Sequence, residues 1–250
     1  MGMMSYPLAH TMPLVAMALS ILFCFSRSKF LKVLSVILLV MIVRILFIMT
    51  ITTAMLLTVI GVTAIFAGYF SGGKPILTII IVFAMLLVFF TTGIVTTFLD
   101  FSNATNTVIS AKLSDFFVSV QTGAGEGQMG YREELYRASF RTFLSNPFFG
   151  WGSDNGSRKH IGEHSYLLDY LAYYGLFALL LFLSWWKEYK LLKPLIPSNL
   201  KSYYYYTFIP FLVMFATKAE SVCGVMVYSL LVFVQIVFLY VGNIQTVKHQ

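Results

Sequence analysis

Hydrophobic residues in this chain come in long unbroken runs rather than in alternation. Residues 75–99 and 221–247 carry no charge, and residues 30–70 carry only Lys32 and Arg44. A helix needs roughly 20 apolar residues to cross a bilayer. The pattern predicts spans at 12–26, 30–49, 51–70, 76–98, 166–186, 204–217 and 222–241. Continuous apolar runs predict helices rather than a barrel, because a barrel strand alternates apolar and polar positions. The expected fold class is therefore all-α: a polytopic transmembrane helix bundle with one large loop. The division is 1–98, N-terminal helices; 99–165, the loop; and 166–250, C-terminal helices.

Composition agrees: 58% of the 250 residues are hydrophobic and 11% charged, against about 25% charged in soluble domains. The net charge of +7 is read by position. Basic residues cluster at 27–32 (Arg27, Lys29, Lys32) and at 187–201 (Lys187, Lys190, Lys193, Lys201). Short basic loops beside spans stay in the cytoplasm, which puts the 99–165 loop on the far side. Eight of the ten acidic residues lie between Asp100 and Asp169, in that loop or just beyond it. The basic balance is thus topological, and no basic stripe on a soluble element points to nucleic acid. Cys24 and Cys223 both fall in predicted spans, so no disulfide framework is expected. No basic residue precedes the first apolar run, so no cleaved signal peptide is expected.

The loop contains the candidate chemistry. Residues 100–130 are rich in Ser, Thr, Asn and Gly and read as a flexible segment. Residues 131–145 predict a short amphipathic helix that stops before Asn146-Pro147, because proline disfavours helical geometry in the residue before it. At about 100° per residue, Glu133, Glu134, Arg137 and Arg141 share one face, a solvated stripe with a Glu133–Arg137 pair. Arg132 falls on the other, apolar side between Ser139 and Phe143. A cation there either snorkels from the first turn or holds an anionic ligand in its guanidinium fork.

The following NPFFGWG turn (146–152) reads either as an interfacial aromatic loop or as a glycine backbone approached by a ligand. Gly162 predicts a helix starting near Glu163, which would put His164 in its first turn. There the helix dipole would keep the imidazole neutral, and free N–H groups could bind phosphate. Residues 160–164 also spell H-x-x-E-H, an inverted zinc-protease signature. Gly162 inside the motif and the absence of an obvious third ligand argue against zinc. Of the remaining charges, Asp169 near the top of a predicted span is placed to position a nearby arginine or histidine. Arg44 is expected at a turn between spans, and Lys218 and Glu220 in an exposed turn.

Residues 131–186 resemble the signature region of the O-antigen ligase and O-antigen polymerase family of bacterial membrane glycosyltransferases. The resemblance rests on Arg132, Tyr136, the Asn146-Pro147-Phe-Phe-Gly150-Trp-Gly152 turn, His164-Ser165 and Tyr174-Gly175-Leu176, in that order. It implies a metal-independent, cofactor-free enzyme of the bacterial cytoplasmic membrane acting on polyprenyl-diphosphate-linked oligosaccharide. By the resemblance Arg132 binds the donor diphosphate and His164 acts at the acceptor hydroxyl or the diphosphate. Arg137, Arg141 and Asp169 are further substrate-binding candidates. So is Arg27, in a Phe-Ser-Arg-Ser sequence (25–28) like the family's second arginine, although the predicted topology places it on the cytoplasmic side. Partners implied are the lipid bilayer and other polysaccharide-assembly membrane proteins.

The expected activity is polymerisation of repeat units into surface polysaccharide of the O-antigen or capsule type. A ligase moving finished glycan to a lipid or protein acceptor, and a non-catalytic component binding lipid-linked glycan, are the alternatives. Family members usually have more spans before this region, so the chain is expected to be a reduced member or a C-terminal portion.

Overall fold

The computed structural model describes residues 5–49, 52–72, 74, 76–78, 80–84, 111, 114, 127–152, 161–191, 193–218, 227 and 229–246. Among these there is no strand, and the regular structure is helical. In chain order the helices are α1 (Ser5–Phe25), α2 (Lys29–Met49), α3 (Thr52–Phe70), α4 (Gly127–Ser145), α5 (Tyr166–Tyr174), α6 (Ala178–Leu191), α7 (Lys201–Thr217) and α8 (Gln235–Thr246). A 3₁₀ turn, Gly175–Phe177, joins α5 to α6, and a π-helical stretch, Ser229–Val234, leads into α8.

Among the described residues three helical segments are long and apolar enough to cross a membrane: Lys29–Ile48, Thr53–Phe70 and Tyr166–Leu195. Ala9–Phe25 and Ser229–Gly242 are shorter apolar helices. The expected spans at 30–49 and 51–70 meet α2 and α3 within a residue or two, and these are two separate helices. Most of the expected 76–98 span, and the start of the 222–241 span with Cys223, lie outside the described residues.

The helices divide between two compact units. The first holds 1–113, 192–211 and 225–250; the second holds 114–191 and 212–224. In the first unit α1 is the core, with Leu14, Ala16, Met17 and Ile21 fully buried, and it packs on α2, α3 and α8. Gly61 of α3 makes this possible. A Cβ there would lie 2.6 Å from the Met17 sulfur, so the missing side chain lets the two backbones approach as small residues do in membrane bundles.

Arg44 departs from the expected turn: α2 runs unbroken through it to Met49. The apolar run continues on both sides, so nothing stops the helix there. Arg44 is exposed and about 8 Å of helix from the end, within the reach of a snorkelling side chain.

In the second unit α4 packs against α5. The expected 166–186 span is there, but it extends further and is broken at Gly175. Gly175 has φ 59 and ψ −146 and ends α5, a conformation that only glycine adopts without strain.

Candidate functional site

The candidate residues converge where α4 lies beside the start of α5. α4 stops at Ser145 as the proline predicts, but it starts at Gly127, four residues earlier than expected. Arg132 therefore sits in the second turn rather than the first, which weakens the snorkelling explanation. It is half-buried and has no hydrogen bond or ion pair among the described residues. One turn on, Tyr136 donates its hydroxyl proton to the Thr217 carbonyl at 3.1 Å. Burial pushes the Tyr136 phenol above its ordinary range, Arg132 pulls it down and Asp169 pushes it up. With that net rise Tyr136 remains a donor at neutral pH.

The start of α5 differs from the expectation. Ser165 is its N-cap, accepting from the Leu168 N–H, and Asp169 reaches back to accept from the Ser165 N–H at 3.1 Å. This reciprocal capping fixes the helix start at Tyr166. His164 lies outside the helix, two residues earlier than the expected geometry requires. It is exposed, and its ring meets Tyr131 edge-on with centroids 6.5 Å apart. The dipole argument for a neutral His164 therefore does not apply.

The helix start is also largely closed to phosphate. Of its four orphan donors, Ser165 N–H goes to Asp169, Tyr166 N–H to the Lys218 carbonyl and Leu168 N–H to Ser165. A carboxyl group in the first turn already complements the dipole. Gly162, read from sequence as a helix signal, has a different role. Its missing side chain lets the chain lie against the Leu135 backbone of α4. The strained residue is the next one, Glu163, at φ 54.

Asp169 is buried, and its second oxygen accepts from the Ser139 hydroxyl at 2.6 Å. Ser139 in turn accepts from the Gly162 N–H at 2.9 Å. Among the described residues Asp169 thus meets hydroxyl and backbone donors instead of an arginine. It holds α4, the 161–165 turn and α5 in register. Ser139, which the sequence reading left on a helix face, is the central member of this network.

A double-mutant cycle tests the unit. Ser139→Ala and Asp169→Ala are each expected to destabilise by about 2–3 kcal/mol, since each strands buried partners of a strong hydrogen bond. The pair should cost less than the sum by about 1 kcal/mol or more, read from unfolding in detergent. Strict additivity would dissolve the network.

The other candidates lie apart. Arg137 is exposed and paired with Glu133 through a 2.6 Å contact, the surface pair that the spacing predicts. Arg141 is exposed on the same helix, and Arg27 is exposed in the α1–α2 connection of the first unit. His160 lies outside the described residues, among which no group of three His, Cys, Asp or Glu side chains could hold a metal.

Lys218 was missed. The sequence suggests an exposed turn, but Lys218 is only 6% exposed, because its backbone carbonyl is tied to Tyr166 and the preceding Thr217 carbonyl to Tyr136. Its position between two apolar stretches was the available signal.

The NPFFGWG turn also acts differently from its ligand-binding reading. Gly150 has positive φ and approaches the Tyr173 backbone, not a ligand. Trp151 N–H donates to the Ala172 carbonyl at 3.0 Å, Gly152 N–H to Tyr173 at 2.8 Å, and Leu176 N–H returns to Pro147 at 2.8 Å. The turn is therefore the C-terminal cap of α5, supplied from elsewhere in the chain. No protein-family model, curated protein or solved structure matches this chain.

Proposed function

We propose that the protein is a membrane glycosyltransferase that polymerises polyprenyl-diphosphate-linked oligosaccharide repeat units. In this reading the chain is a polytopic bundle of the bacterial cytoplasmic membrane, with residues 99–165 on the outer side. The observation that carries the proposal is Arg132: a half-buried cation without an anionic partner among the described residues. It follows directly on Tyr131, whose ring meets His164. A cation partly withdrawn from water is stabilised by counter-charge, and a diphosphate supplies it.

The reaction joins two repeat units. A sugar hydroxyl of one attacks the anomeric carbon of the other and forms the glycosidic bond. The bond from that carbon to the diphosphate oxygen breaks, and polyprenyl diphosphate leaves with the electron pair. His164, exposed at the loop before α5, accepts the hydroxyl proton. Arg132 neutralises the charge that grows on the departing diphosphate, the electrostatic device such a step needs. Ser139 and Asp169 hold the His164 turn against α4 and act as positioning residues.

His164→Ala tests the proposal in a deletion strain complemented with the protein, with membrane levels matched to wild type. Surface glycan should collapse from a ladder to single repeat units, a loss of about 100-fold or more in polymer. Polymer that accumulates unattached would identify a ligase instead. An unchanged ladder would remove His164 from catalysis and favour a component that only binds lipid-linked glycan.

A further inference from the structure

The path of the chain around α5 has a consequence for the membrane. Leu135 and Ser139 of α4 lie beside Gly162 and Asp169, at the start of α5. Pro147, Trp151 and Gly152 lie beside Ala172–Leu176, at its end. α4 thus descends alongside α5 in the same direction, and the chain turns at 147–152. By Gly162 it is back beside Leu135, where α5 begins a second descent.

Depth follows from the span. Tyr166–Leu195 covers 30 residues, whereas the hydrocarbon core takes about 20. The far end is marked by exposed Lys187 and Lys190, with the Lys190 ammonium 4.6 Å from the Trp186 ring centroid, an arrangement typical of the interface. Twenty residues counted back from Trp186 begin at Leu167. Gly175 is then about 12 Å below that boundary at 1.5 Å per residue.

We infer that α4 and the 146–152 turn form a re-entrant hairpin, which dips into the bilayer beside α5 and presents its aromatic tip to lipid hydrocarbon. Two independent observations support lipid as the occupant. The first is the exposed surface. Glu133, Glu134 and Arg137 lie on the upper part of α4, whereas Phe140 and Leu144 are 47% and 56% exposed further down. Phe148 and Phe149, at 65% and 73%, form the tip. The Phe149 ring packs on Phe177 at 5.8 Å, so the tip is continuous with Phe177, Leu180 and Leu183, exposed along the span itself. Arg141, the lowest charge on α4, can snorkel upward along its stem.

The second observation is polar satisfaction. Irregular backbone is tolerated at membrane depth only where its hydrogen bonds are made internally. The Gly150 N–H donates to Asn146, and the Trp151 and Gly152 N–H groups donate to α5. The Asn146 side chain donates to the Gly150 carbonyl at 2.6 Å. The Trp151 indole N–H is met by Ser145 at 2.8 Å, leaving its ring free to face hydrocarbon. The closure covers residues 150–152 of the turn; no hydrogen bond from the Phe148 or Phe149 N–H is found among the described residues.

Site-directed nitroxide labelling of the full chain in phosphatidylcholine vesicles tests the hairpin. Labels go at Phe149→Cys, Phe148→Cys and, as reference, Glu134→Cys, in a background lacking Cys24 and Cys223. The expected result is that oxygen collides readily with the labels at 148 and 149 and a water-soluble nickel chelate does not. The oxygen-to-nickel ratio should be several-fold above that at 134. Equal nickel access at 149 and 134 would overturn the hairpin by showing a tip in water. Exclusion of both colliders would overturn it by showing a tip covered by protein, such as a second copy. Two tip positions guard against one substitution that fails to assemble. The readout is independent of activity, so the hairpin stands or falls apart from the proposed reaction.

Discussion

Arg132→Ala is expected to reduce polymer by about 100-fold or more, the scale found when one preorganised group facing developing charge is removed. The argument is electrostatic. Arg132 is half-buried, and a partly desolvated guanidinium acts through a lower dielectric than an exposed one. Arg132→Lys keeps the charge but loses the planar fork, so it should recover part of the activity and not all. Arg137→Ala is the matched control on the same helix. Its partner Glu133 is 51% exposed at the side chain, and exposed pairs contribute roughly 0–1 kcal/mol. Its loss should leave the glycan ladder in place. A wild-type ladder from Arg132→Ala, at equal membrane level, would sink the diphosphate role. Equal losses from Arg132→Ala and Arg137→Ala would instead point to the integrity of α4 as a whole.

Local rules read some of this site and missed the rest for identifiable reasons. That α2 and α3 are apolar helices follows from uninterrupted apolar runs, and the end of α4 from Pro147. The early start of α4 was hidden because Gly127 and Gly130 are weak helix formers, each costing about 1 kcal/mol against alanine. The position of His164 failed through Gly162. Its signal was a close backbone approach to Leu135, a partner 27 residues away, and a one-dimensional pattern shows only a helix breaker. Asp169 illustrates the same limit: a carboxyl group in an apolar run announces a polar partner, but whether that partner is an arginine or a serine depends on which helix face packs against it. Ser139 gives no signal alone, since a serine on the inner face of an amphipathic helix is common. Lys218 was misread because burial is a tertiary property. The 146–152 motif was legible as a turn, whereas Gly175 was read inside a continuous span, and that the turn caps α5 there appeared only when both were placed.

Gly175→Ala is the substitution expected to do most damage to the structure. It combines two costs that can be separated. The first is conformational: at φ 59 and ψ −146 any L side chain is strained by about 1–3 kcal/mol. The second is steric and falls on backbone. A Cβ at Gly175 would lie 2.5 Å from the Phe148 carbonyl carbon and the Pro147 oxygen, and backbone cannot turn aside as a flexible side chain can. Relief requires the 146–152 turn to move off α5, which breaks the Leu176–Pro147 bond and pulls Trp151 and Gly152 from their carbonyls. Each backbone group stranded away from water adds about 1–3 kcal/mol. The sum is on the order of 4–12 kcal/mol, or a melting midpoint in detergent lower by about 10 °C or more.

Gly152→Ala isolates the first cost. Its φ of 66 is similar, but nothing lies within 4 Å of the added Cβ, so about 1 kcal/mol is expected. The Gly175 variant should also release the tip, making a nitroxide at position 149 accessible to the nickel chelate, while the Gly152 variant leaves it shielded. If both glycine variants melt alike, close packing between the turn and α5 contributes nothing beyond backbone strain. The cap formed by the 146–152 turn would then not be what holds the broken span together.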